Sequence, residues 1–240
     1  MNVSEHLTEF VSKNLNCSEV FTLTGGGSMF LNDAFGNSKN LTAIYCHHEQ
    51  AAAMAAVGYA KLKHIGVCIT TSGCGATNAL TGLLDAWQDN VPVLFISGQV
   101  KIKETSYYSS AKLRTFGVQE FNILPVVQSF TKSAYFIDSL ETYFDVIKNL
   151  KSDLLEGRPG PVWLDIPMDI QSKILTELQI KTADKLIKPL QKTPKLKITS
   201  YNLNTIKNYI KHAYKPVILV GNGLRLSQNG KGINVINELA

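Results

Sequence analysis

The sequence predicts an α/β fold in which an open, mostly parallel sheet carries helices on both faces and is followed by the beginning of a second, Rossmann-like α/β domain. Three observations predict it. Helix-like and strand-like segments alternate in the order αβαβαβαβ over residues 4–97, the pattern of a layered parallel sheet. The four strand candidates, VFTL, TAIYC, GVCIT and VPVLFIS, are continuous apolar runs, as expected of strands covered on both faces. Glycine- or alanine-rich turns follow three of them, at the edge where open α/β sheets bind ligands.

In chain order, helices are expected over residues 4–15, 29–35, 49–62 and 78–89, and strands over 20–23, 42–46, 66–71 and 91–97. A further helix, 139–155, ends before Gly157-Arg158-Pro159-Gly160-Pro161, where proline and glycine turn the backbone sharply, and a strand follows at 162–166. Residues 171–199 are polar, lysine-rich and weakly periodic, which predicts a linker. A second unit opens with a helix at 202–213, a strand at 216–220, the loop Gly221-Asn222-Gly223 and the start of another helix. Roughly 40 residues cannot close an α/β domain of their own. The expected organisation is therefore a domain over 1–170, a linker over 171–199 and an incomplete domain start over 200–240.

Composition narrows the function classes. Apolar residues make up 45% and charged residues 18% of the chain, and the latter lies below the roughly 25% of an average protein, so part of the surface is expected to be covered by partners. The net charge of +5 comes mostly from lysines between Lys173 and Lys215. Lys181, Lys185, Lys188, Lys192, Lys195 and Lys197 fall in quick succession with no aromatic residues between them to stack on bases, so a solvated stretch is expected and a nucleic-acid partner is not. Cys17, Cys46, Cys68 and Cys74 form no C-x-x-C pair, and Cys46 and Cys68 sit in apolar runs typical of buried thiols in a reducing compartment. The start, with Glu5, His6 and Glu9, lacks the basic-then-apolar order of a leader. No apolar run approaches the roughly 18 residues of a membrane span. A soluble cytoplasmic protein with no membrane partner is expected.

Three stretches could carry chemistry. In His48-Glu49-Gln50-Ala51-Ala52-Ala53 a single carboxylate sits where a strand hands over to an alanine-rich helix. Such a carboxyl meets two opposed effects, the helix amino end and apolar burial, and so is a candidate proton relay; the alternative is a helix cap on a tightly packed alanine face. In Thr71-Ser72-Gly73-Cys74-Gly75-Ala76-Thr77-Asn78 a strand opens into a small-residue loop whose main-chain N–H groups could face a ligand, although many structural turns look the same. In Thr24-Gly25-Gly26-Gly27-Ser28 another strand enters a glycine turn with no P-loop pattern. The later Gly221-Asn222-Gly223 holds only part of a dinucleotide fingerprint, which leaves a nucleotide-binding module as a weak third reading. Convergence of the first three on one sheet edge is more informative than any one of them.

In order and spacing, the residues resemble the acetolactate synthase family of thiamine-diphosphate enzymes. The matching blocks are Val20-Phe21 with the Gly25-Gly26 turn, His48 to Ala53, Thr71 to Asn78, Asp89-Asn90-Val91-Pro92-Val93, Gly98-Gln99-Val100, Gln119-Glu120, Thr131-Lys132 and Gly157 to Pro167. The resemblance is dense over residues 3–170 and looser from Lys215 onward. It implies that 1–170 is the pyrimidine-binding domain of the thiamine-diphosphate fold and that 200–240 opens the central domain. It also implies that Glu49 bonds a ring nitrogen of the cofactor's aminopyrimidine and favours the imino tautomer that takes the proton from the thiazolium carbon. Gly25, Gly26 and Gly27 would face the reacting centre, Ser72, Gly73 and Asn78 would pack around the cofactor, and Gln119 would reach the substrate.

The same resemblance implies a 2-keto acid substrate, a homodimer or a complex with a diphosphate-binding domain or subunit, and magnesium held through a GDG…N motif that nothing in these residues matches. A flavin in the central domain is left open. Val118, Met168, Thr24 and Cys74 stand where the family usually has phenylalanine, lysine, proline and proline. These departures point to a relative with a different substrate, a carboligase or a decarboxylase. The alternative is a catalytically silent truncated paralogue that only dimerises or regulates.

Overall fold

The six strands form one all-parallel sheet, ordered β2-β1-β3-β4-β6-β5, in a computed structural model that describes residues 1–110, 112–190, 198–221, 223–226 and 238. The strands are β1 (Glu19–Thr22), β2 (Thr42–Tyr45), β3 (Gly66–Thr70), β4 (Val93–Gln99), β5 (Ser133–Phe136) and β6 (Val162–Pro167). The helices are α1 (Val3–Lys13), α2 (Met29–Gly36), α3 (Glu49–Lys63), α4 (Cys74–Asn78), α5 (Leu80–Gln88), α6 (Leu124–Val127), α7 (Leu140–Leu155), α8 (Met168–Gln171), α9 (Glu177–Leu186), α10 (Ser200–His212) and α11 (Gly223–Leu226). The expected α/β class and parallel sheet are what the chain forms. Among the described residues, no helix is long and apolar enough to cross a membrane.

Two cores flank the sheet because successive strand residues point to opposite faces. Val67, Ile69, Leu94, Ile96, Leu164 and Ile166 pack with α1, α2 and α7, through Leu7, Phe10, Leu31, Phe35, Ile147 and Leu150. Cys68, Phe95 and Trp163 face the other way, onto the alanines of α3 and onto Leu83 and Val127. Small residues set that second layer. A Cβ on Gly66 would lie 2.1 Å from the Ala56 carbonyl oxygen, and one on Gly82 would lie 2.5 Å from Ala53 Cβ. The alanine face of α3 is thus a close-packing surface that seats the helix against β3 and α5.

Trp163 anchors this layer. Fully buried, it stacks on Phe95 with ring centroids 5.4 Å apart, and its Nε1–H donates to Ser97 Oγ at 2.9 Å. Trp163→Ala should cost about 3–5 kcal/mol of unfolding free energy, read from the urea midpoint; a loss under about 1 kcal/mol would show that the layer collapses around the gap.

The structure departs from the sequence reading in particular places. β2 is an edge strand with a mostly exposed pattern, so only part of the sheet is covered on both faces. Cys68 is buried as expected, whereas Cys46, at the end of that edge strand, is only half-buried. The helix expected over 78–89 begins earlier, at Cys74, and breaks at Ala79 into α4 and α5. β5 was not anticipated: its four half-buried residues form the far edge, and β6 inserts between it and β4.

The stretch 171–199, expected as a linker, contains α9, started by a capping box in which Thr176 and Gln179 bond each other's backbone N–H. Ile180, Ala183 and Ile187 line one side of it and pack on the core, a helical spacing hidden among lysines. The chain divides into compact units over 1–192 and 193–240. In the second unit α10 forms as expected, but no strand forms over 216–220, where Val217 and Leu219 are 90% and 96% exposed. A strand needs neighbours, and the described residues of this unit offer none. Asn222, within the expected glycine loop, lies outside the described residues, as does most of the helix expected after it.

Candidate functional site

The order of the sheet places a switch point between β1 and β3. The chain leaves β1 to build β2 on one side, then returns to build β3 on the other, so the loops after β1 and β3 share the part of the carboxyl edge where open α/β sheets bind ligands. These loops are the glycine turn 24–28 and the small-residue loop 71–78. They interlock. The Gly27 N–H donates to Thr71 Oγ1 at 3.1 Å, and a Cβ on Gly25 would lie 2.3 Å from Thr71 Cβ. Behind them Gly98 lets β4 pass so close that a Cβ there would fall 2.2 Å from the Gly27 carbonyl oxygen.

Glu49 is the first residue of α3, and His48 caps the helix by accepting the Gln50 N–H on Nδ1. Its half-buried carboxylate has one oxygen fixed: Asn78 Nδ2 donates to Oε2 at 3.0 Å. The other oxygen lies beside Gly75, which packs so closely that an added Cβ would fall 2.7 Å from Thr71 Cγ2 and 3.2 Å from Oε1. Gly73 occupies the left-handed region at φ +57°, and a Cβ on it would strike the Gln119 carbonyl oxygen at 2.0 Å. Gln119 is itself at φ +57° and exposed.

The loop 71–78 is therefore a hub for the residues singled out from the sequence. Gly25 and Gly27 meet it at Thr71 and Ser72, Gln119 meets it at Gly73, and Glu49 meets it at Gly75 and Asn78. Gly27, Ser72 and Gly73 are buried, Gly25 and Glu49 are half-buried, and Gly26, Asn78 and Gln119 are exposed. Gly26 has nothing within 4 Å of where a Cβ would stand, so its side of the turn is open.

The structure adds residues that the sequence reading passed over. Behind the hub, Ser97, Gln99 and Asp165 form a buried polar group, with Ser97 Oγ donating to Asp165 Oδ1 at 2.7 Å and Gln99 Nε2 donating to Oδ2 at 3.3 Å. Burial pushes the Asp165 carboxyl up to about 7, against the hydrogen bonds from Ser97 and Gln99, which favour its ionised form. Gln171, also buried, donates from Nε2 to the carbonyls of Gly27 and Ile166 at 2.7 and 2.6 Å and so ties α8 to the glycine turn. For the first three the signal available was a polar residue in an otherwise apolar strand, VLFISGQ or VWLDIP; Gln171, in α8, had none. Among the described residues, no group of three or more His, Cys, Asp or Glu side chains could hold a metal ion.

A parallel α/β domain that gathers one carboxylate and two glycine loops at its switch point has the layout of a ligand-binding α/β domain. The chain belongs to the thiamine pyrophosphate enzyme family: residues 1–125 match the model of its N-terminal TPP binding domain. Among its relatives, acetolactate synthase isozyme 2 large subunit of Escherichia coli (strain K12) is 35% identical over 212 residues, covering 87% of this chain and 35% of that protein. The chloroplastic acetolactate synthase of Arabidopsis thaliana is 35% identical over 214 residues, 89% of this chain and 30% of that protein. Acetolactate synthase 2, chloroplastic, of Nicotiana tabacum is 35% identical over 223 residues, 92% and 32% of the two chains. The chain spans about a third of the length of the curated relatives it matches.

Proposed function

We propose that these residues supply the pyrimidine-binding half of a thiamine-diphosphate enzyme that acts on 2-keto acids, as a decarboxylase or carboligase of acetolactate synthase type. One observation carries the reading: Asn78 holds the Glu49 carboxylate by one oxygen at the start of α3, at the sheet edge where the 24–28 and 71–78 glycine loops meet. The residues present fit the group. An aminopyrimidine needs an acceptor at one ring nitrogen, a surface without side chains against its flat face and a turn that allows close approach. Glu49 offers the acceptor, and the Gly25–Gly27 turn, with nothing within 4 Å of where a Cβ on Gly26 would stand, offers the bare surface and the close approach. When bound, thiamine diphosphate supplies the electron sink that makes decarboxylation of a 2-keto acid feasible.

The work of the chain's own residues is positional. Glu49 holds the proton arrangement of the pyrimidine, Asn78 keeps that carboxylate pointed, Ser72 and Gly73 wall the pocket, and Gln119 faces the substrate. The diphosphate and magnesium are held by a further domain or subunit. Exposed apolar side chains on α3 and α5, Met54, Leu84 and Trp87, together with Tyr45 on β2, give such a partner a surface to cover, which supports an assembled site in a dimer. Carbon dioxide release from a 2-keto acid, measured with the full-length protein, should require added thiamine diphosphate and magnesium. Release that proceeds equally without the cofactor, or failure of the cofactor to bind at all, would contradict the reading.

A further inference from the structure

We propose that Asp165 is a positioning residue: acting through Gln99, it latches the loop that presents Gln119 at the mouth of the site. This rests on the reading of Gln119 as a site residue, but the latch itself is read from the loop's anchoring alone.

The loop in question leaves β4 at Val100 and reaches α6 at Leu124. Its turn at 115–121 is organised from within by Glu120, which is buried. The Glu120 carboxylate accepts from Ser106 Oγ at 2.8 Å and from the Phe116 N–H at 3.2 Å, and its own N–H donates to the Gly117 carbonyl at 3.2 Å. Those bonds shape the turn. They do not fix where it sits on the domain.

Two contacts do. On one side the Gln119 carbonyl abuts Gly73. On the other, the Phe121 carbonyl accepts from Gln99 Nε2 at 2.9 Å. Gln99 is 1% exposed, and its amide is fully committed: Oε1 accepts the Val100 N–H at 3.0 Å, one amide hydrogen serves Phe121, and the other serves Asp165 Oδ2. Asp165 is held in turn by Ser97 Oγ, which accepts from Trp163 Nε1. A chain of hydrogen bonds, buried up to its part-buried last link, thus runs from the aromatic core at Trp163 to a backbone carbonyl two residues beyond Gln119. If Asp165 offers no acceptor, a buried amide hydrogen of Gln99 is orphaned, and the side chain must turn to satisfy it, giving up Phe121.

Asp165→Leu keeps the branching of the side chain and removes both acceptors. Asp165→Asn keeps one, because its amide can donate to Ser97 Oγ and present oxygen to Gln99. Hydrogen exchange on the full chain should show amides of residues 115–121 exchanging about tenfold faster or more in Asp165→Leu, with β1 and β3 unchanged and Asp165→Asn close to the wild type. Gln99→Met, which leaves Asp165 in place, should loosen the same amides, and combining it with Asp165→Leu should add little. Wild-type protection of 115–121 in a folded Asp165→Leu would overturn the proposal. If that variant does not fold, Gln99→Met decides, and unchanged protection there overturns it equally. Turnover of a 2-keto acid separates the two readings: a loosened loop with unchanged KM and kcat would remove Gln119 from the site and leave the latch standing.

Discussion

Replacing Glu49 with glutamine is expected to cut turnover in the full-length protein by a factor of about a hundred or more, within the range of a lost proton-handling group, while the fold stays in place. The fold survives because glutamine can still accept from Asn78 through its amide oxygen, and α3 keeps its His48 cap and buried alanine face. What is lost is the charge and the acceptor at Oε1, the oxygen that no hydrogen bond within the hub uses and that faces Gly75. Steady-state kinetics with saturating thiamine diphosphate reads the effect in kcat. Near-normal turnover would reduce Glu49 to a helix-start residue.

Gly73→Ala should be the most damaging single methyl in the site. At φ +57° and ψ −114°, a conformation that side chains rarely adopt, a non-glycine residue costs about 1–3 kcal/mol by itself. Here the new Cβ would also fall 2.0 Å from the Gln119 carbonyl, on a turn that Glu120 and Gln99 hold from the other side. Gly157 provides the control, since it has φ +66° but nothing within 4 Å, so Gly157→Ala carries the backbone cost alone. Gly26→Ala provides the opposite contrast, with no strain and no clash, and should leave the unfolding midpoint unchanged while weakening cofactor affinity. Chemical unfolding of the three variants, paired with titration of thiamine diphosphate, separates the effects. Equal losses at Gly73 and Gly157 would mean that the Gly73 to Gln119 approach carries nothing.

Legibility in the sequence followed burial. The central strands β3, β4 and β6 are buried on both faces and stand out as apolar runs. β5 is short and half-buried at an edge, so little in its composition marks it. α9 was hidden because its apolar positions are few and lysines fill the rest. Residues 216–220 have the composition of a strand, but composition alone cannot supply the partners a strand needs. For the site, the glycine turns and Glu49 were legible because special backbone demands leave special residues. The Ser97, Gln99 and Asp165 group was not, because its meaning lies in register: Ser97 and Asp165 are side-by-side partners on β4 and β6, far apart in the chain.

In the alanine-rich helix the packing reading of that stretch does not compete with a site role for Glu49. Ala52, Ala53, Ala56 and Ala60 are core, as a close-packing face predicts. The same close packing brings α3 against β3 and α5, and this sets Glu49 beside Gly75 and Asn78.

The most direct test is a structure of the full-length protein with thiamine diphosphate bound. A pyrimidine ring nitrogen is expected within hydrogen-bonding distance, about 2.6–3.2 Å, of a Glu49 carboxylate oxygen, with the ring lying against the Gly25–Gly27 turn. A pyrimidine bound elsewhere, or a Glu49 side chain turned away from it toward solvent, would contradict the account.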